Sequence, residues 1–232
     1  MILRTLAGFF VLTLVVPCQG QERGGTSSKV ALPWIMTVMS KAQISGSLEY
    51  SGRCDDKHRF PDFPAMRTPR QIDRPPLQTL REMFADDPTM QVTQDASGLI
   101  RMVEADVPRD LLNVRINHLS FDPRREGDPV GNPFWGRGVI FSSPEVIDFM
   151  RSQNIDPGVV PWAVELSSIP GPKRIHGGLD NVTVSQALDY VLQTFPGLWI
   201  YENCGVTNGK LGVSFTFYEN SKMWELQDSK EN

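Results

Sequence analysis

Three histidines, His58, His118 and His176, are the side chains of this sequence best suited to proton transfer or metal ligation near neutral pH. None lies in a His-Glu-x-x-His or His-x-His spacing, and no Cys-x-x-Cys occurs, so a metal site would have to be assembled by folding. Serine hydrolysis needs a nucleophile presented on a tight strand-to-helix turn, and there is no Gly-x-Ser-x-Gly. Ser142-Ser143 reads more simply as a helix cap. The acidic pairs Asp55-Asp56 and Asp86-Asp87 are the residue types of a glycosidase dyad, but they sit in a loop or beside Pro88, where solvation is expected. Gly177-Gly178 is followed by no Lys-Ser/Thr and reads as a turn. No catalytic, cofactor-binding or metal-ligating residue is therefore assigned.

Contact chemistry is better represented. Phe134, Trp135 and Arg137 stand together in a Gly/Pro-rich stretch, with Arg124 and Arg125 nearby. Aromatic residues and arginine are the types enriched at contact hot spots. Two readings remain open: these side chains meet a partner, or Phe134 and Trp135 fold back onto the core and pin the loop. Asn181-Val182-Thr183 is a glycosylation sequon in which Thr183 is also placed to cap a helix.

Composition and the first residues set the compartment. Apolar content of 40% and charged content of 22% are those of a globular protein, and a net charge of −4 excludes a general nucleic-acid binder, which needs a basic footprint. Arg4 followed by the apolar run Leu6 to Val16 has the form of an export signal, and it is too short for a membrane span. Removal after Gly20 is expected, giving a periplasmic or secreted chain with no transmembrane span. A lipoprotein anchored through Cys18 is the alternative, although Pro17 stands where a small residue is expected. Loss of Cys18 leaves Cys54 and Cys204. In an exported chain these are expected to form a disulfide, against the alternative of two separately buried thiols.

The elements that would position such groups are clearest from Leu179 to Phe217. Thr183-Val184-Ser185-Gln186 is a capping box, and Val184, Ala187, Leu188, Val191, Leu192 and Phe195 form one helical stripe. Pro196-Gly197 stops the helix. Leu198 to Tyr201 and the alternating Leu211 to Phe217 predict two strands joined through Asn208-Gly209. An earlier stretch repeats the rhythm: a helix opened by Pro75-Pro76 with Leu77, Leu80, Met83 and Phe84, then strands at 90–92 and 99–103 about an Asp95 to Gly98 turn. Short strands are also predicted at 44–50, 112–121 and 139–141, and a helix at 144–154 with Ser143 as its cap. The segment Val30 to Met39 is apolar but contains Pro33 and is left unassigned.

The phrase Leu179 to Leu192, followed by Gly197-Leu198-Trp199-Ile200-Tyr201, resembles the second half of the short N-terminal domain of secretins and TonB-dependent receptors. That half reads as an apolar strand, a Thr-Val-x-x-Ala-Leu helix, then Gly-Leu and a strand. Pro76-Leu77-x-x-Leu80 and the strands after it are similar to the first half. The resemblance implies a small α+β interaction domain of the cell envelope and brings no catalytic residues. The expected organisation is a signal at 1–20, an N-terminal segment at 21–43, one α+β unit at 44–121, a loop or linker at 122–138, a second unit at 139–219 and a polar tail at 220–232. The expected fold class is α+β, with two helix-strand-strand units and small mixed sheets. The expected function is a non-enzymatic binding or assembly module whose partner is an envelope protein. An exported hydrolase whose site forms only on folding is the alternative.

Overall fold

A computed structural model of the protein describes residues 28–52, 64, 66–72, 74–122, 133–156, 174–207 and 210–220. The expected signal at 1–20 and the residues after Asn220, together with Cys54, Asp55, Asp56, His58, Arg124, Arg125, Asn208 and Gly209, lie outside the described residues.

The chain enters through helix α1 (Ser28–Lys41) and strand β1 (Gly46–Ser51). A helix-hairpin unit follows: α2 (Pro76–Met83), β2 (Met90–Gln94) and β3 (Ile100–Glu104). Then come β4 (Arg115–Ser120), α3 (Pro133–Phe141), α4 (Pro144–Ser152) and the two-residue β5 (Ile155–Asp156). The second helix-hairpin unit is α5 (Val184–Thr194), β7 (Gly197–Thr207) and β8 (Lys210–Glu219), preceded by β6 (Gly178–Thr183). The fold is α+β, as expected.

The two units share one mixed sheet in the order β2-β3-β1-β7-β8-β5, while β4 and β6 pair in a sheet of their own. β1 joins the halves. It runs parallel to β3 on one side, with Leu48 opposite Met102, and parallel to β7 on the other, with Leu48 opposite Ile200. Strand alternation then sorts the side chains. Leu48, Tyr50, Ile100, Met102, Leu198 and Ile200 form one face, covered by Ile35, Met36 and Met39 of α1 and Leu80 and Met83 of α2, all at most 2% exposed. The opposite face carries Trp199, Tyr201, Phe215 and Phe217 beneath α5, α3 and the β4–β6 pair. Leu188, Val191, Leu192 and Phe195 are buried there, and Thr183 caps α5 through the reciprocal bonds with Gln186.

Several local expectations are corrected by tertiary packing. The unassigned segment around Pro33 is α1, stabilised by the burial of its apolar stripe. Residues 139–141 are the end of α3 and not a strand, and α3 begins inside the stretch read as loop or linker. Gly136 fits the close packing: a Cβ there would come within 2.6 Å of Ile175 Cδ1 and 3.0 Å of Val191 Cγ2 on α5, so a larger residue would require these side chains to shift. β4 pairs with β6, and its Ile116 and Leu119 pack in the core that holds α5. Ser143 stands at the start of α4 but makes no capping bond. Its hydroxyl donates to the Ile140 carbonyl at 2.8 Å.

Candidate functional site

The layer of α5, α3 and β4–β6 covers the β7–β8 half of its sheet face and leaves part of the β2–β3 end open, while Ser47 and Glu49 of β1 are buried. The same alternation that buries Met90, Val92, Ile100 and Met102 sends Gln91, Thr93, Arg101 and Val103 to this open side. Together with Arg109 and with Ser185, Gln186 and Asp189 of α5, they line a groove of about 410 Å³.

Its wall is built on a charge network. Arg101 Nη1 donates to Asp189 Oδ1 at 2.8 Å and Nη2 to Asp189 Oδ2 at 2.7 Å. The same guanidinium reaches Asp95 Oδ2 from Nη2 at 2.8 Å and from Nε at 3.1 Å. Trp199 Nε1 donates to Asp189 Oδ1 at 3.1 Å. Asp95 also closes the β2–β3 turn by accepting from the amides of Ser97 and Leu99. Burial lowers the Arg101 proton affinity, but the bonds and charge of Asp189 and Asp95 outweigh it, so its pKa is raised. Burial likewise opposes ionisation of Asp95, and the bonds from Ser97 and Arg101 outweigh it and hold the carboxyl below its usual range.

The second charge pair crosses the sheet. Glu49, fully buried on β1, lies with Oε2 2.6 Å from Arg109 Nε. That contact is off the hydrogen-bond axis, so Coulomb attraction makes the tie. Arg109 Nη2 donates to Glu49 Oε1 at 3.3 Å, and the Ser47 hydroxyl donates to the same oxygen at 3.3 Å. Burial pushes the Glu49 carboxyl above its ordinary range, and Arg109 and Ser47 pull it only partly back. The segment bearing Arg109 is fixed again by Tyr201, whose hydroxyl donates to the Pro108 carbonyl at 3.0 Å. Burial pushes the Tyr201 phenol up to about 12.

The residues singled out by sequence lie elsewhere. Phe134 and Trp135 are half-buried on α3 against the core, with the Trp135 ring 6.3 Å from that of Phe121. Arg137 donates from Nη1 to the Phe215 carbonyl at 2.8 Å and lies 5.3 Å from the Phe134 ring centroid. Burial lowers its pKa. Phe134 and Trp135 thus fold back onto the core, while Arg137 ties α3 to β8. Arg124 and Arg125 lie outside the described residues. His118 is exposed on β4, 2.7 Å from Asp180 across the β4–β6 pair, while the His176 carbonyl accepts from the Tyr190 hydroxyl. Among the described residues no metal-ligating group of three occurs. Asn181 is exposed, with φ of 54°, and accepts from Arg115 Nη1.

Sequence reasoning missed the groove residues. Their signal was present: Glu49 interrupts Leu48 and Tyr50, and Arg101 interrupts Ile100 and Met102, each a charge within a buried strand. No protein-family model, curated protein or solved structure matches this chain.

Proposed function

We propose that this protein is an exported, non-enzymatic binding module of the cell envelope, and that the groove over β2 and β3 is its contact surface. One observation carries the reading: the groove wall is a bidentate, mostly buried Arg101–Asp189 pair, reinforced by Asp95 and Trp199, which fixes a polar surface on rigid elements. Such preorganisation lowers the ordering cost of binding. The order β6, capped α5, β7 follows the pattern of the short secretin and TonB-receptor domain and supports an envelope role. The Arg4-to-Val16 segment supports export. Among the described residues no helix is long and apolar enough to cross a membrane.

The test is site-specific photo-crosslinking in the native host. A photoreactive residue at Thr93, exposed in the groove, is expected to trap an envelope protein. The same residue at Gln153, exposed after α4, is expected to trap none. An adduct at Gln153 alone would refute the groove as the contact surface.

A further inference from the structure

We infer that Arg109 is the ligand-recognising cation of the groove, and that its ligand is an extended peptide segment presenting an aspartate or glutamate side chain. The inference rests on the groove being the contact surface.

The charges lining the groove are not equivalent. Arg101 directs Nε, Nη1 and Nη2 at Asp95, Asp189 and Ser47, so its donors are committed to the fold. Asp189 is committed in the same way, accepting from Arg101 on both oxygens and from Trp199 on one. Arg109 differs. Its side chain is 40% exposed, its Nε and Nη2 edge faces Glu49, and its Nη1 has no protein partner among the described residues. A fully buried carboxylate thus holds the guanidinium from behind and leaves an outer edge at the groove.

A planar guanidinium held on one side by a carboxylate can take a second carboxylate on its free edge, with charge-assisted bonds stronger than neutral ones. The other available groups are uncharged: Gln91 and Thr93 are exposed on β2, Ser185 is half-buried and Gln186 exposed on α5. Amide and hydroxyl groups flanking one unsaturated cation complement a polar main chain carrying one acid. Arg81 Nε donates to the Val92 carbonyl at 2.9 Å and so covers part of the outer edge of β2. This directs the ligand to the face of the sheet and not to strand addition. Glu49 acts as the positioning residue, since its carboxylate fixes the guanidinium plane.

The experiment uses ¹⁵N-labelled protein and two amidated, acetylated heptapeptides, Gly-Ser-Thr-Glu-Thr-Ser-Gly and its Gln counterpart, so that the only carboxylate is the side chain. The expected result is saturable shifts of the Arg109 Nε–Hε resonance and of the Gln91, Thr93 and Ser185 amides, with the Glu peptide about tenfold tighter than the Gln peptide. Arg109→Lys keeps the charge but loses the fork, and is expected to remove most of that preference while the rest of the amide spectrum stays in place. Glu49→Gln is expected to broaden the Arg109 Nε–Hε resonance and weaken the Glu peptide selectively. Equal binding of the two peptides would overturn the assignment of Arg109 while leaving the groove as contact surface. No groove shifts at about 10 mM of either peptide would overturn it as well. Acetate alone matching the Glu peptide would reduce the site to a bare anion contact and also overturn it. Loss of the Thr93 crosslink, by contrast, would refute the underlying reading itself.

Discussion

Arg101 on β3 and Asp189 on α5 meet through two parallel hydrogen bonds, so one ion pair ties the first helix-hairpin unit to the helix of the second. The side chains are 18% and 17% exposed. Removing one partner from such a largely buried pair leaves a charge with lost solvation and lost attraction, a cost of about 3 kcal/mol. Arg101→Ala and Asp189→Ala should each lower the urea midpoint accordingly. The double variant should fall well short of the sum, with a coupling of about 1 kcal/mol or more. Strict additivity would mean that the pair does not bridge the units.

Glu49 gives a pH dependence of defined sign. Its folded pKa is raised by burial above the ordinary carboxyl value of 4.5, so between that value and the raised one the folded chain binds more proton than the unfolded chain. Stability contributed by this group is full at low pH and declines as pH rises through that interval. Glu49→Gln cannot titrate. The stability of the variant relative to wild type should therefore increase as pH rises above 4.5, measured by urea unfolding across pH. A flat difference would show that Arg109 fully offsets the burial.

The core under α5 depends on Leu188, which is 4% exposed between that helix and the sheet. Leu188→Ala should cost about 2–5 kcal/mol as a cavity substitution. A change under 1 kcal/mol by chemical unfolding would place the side chain outside the core.

The expected pairing of Cys54 with Cys204 is open to a direct chemical test. β1 and β7 pair to Ser51 opposite Asn203, and Gly52 N–H donates to the Asn203 carbonyl at 2.8 Å. Cys204 directly follows Asn203 at the end of that pairing, and Cys54 lies outside the described residues. A Cys54–Cys204 bond should appear in non-reducing peptide mapping of the protein from its native host. Its reduction should cost about 4–5 kcal/mol by the chain-entropy argument. Two alkylatable thiols in the native protein would contradict it.

Local signals were legible where they agreed with the global fold. The Thr183–Gln186 box, the stripe from Val184 to Phe195 and the alternation from Leu211 to Phe217 each specify their element without help from distant residues. α1 and α3 were not legible, because Pro33 and the glycines at 136 and 138 argue against helix locally and only burial against distant elements decides the matter. The shared sheet was equally hidden, since nothing in Gly46–Ser51 records that it pairs with both β3 and β7. The groove escaped for the same reason: Glu49, Arg101 and Asp189 come from β1, β3 and α5, and Arg109 from the loop after β3.

The most direct test of the central claim is the Thr93 photo-crosslink in the native envelope, with the Gln153 position as control. The account predicts a specific adduct with an envelope protein at Thr93, absent at Gln153 and diminished when Arg109 is also replaced by Lys. Adducts at Gln153 without any at Thr93 would contradict it.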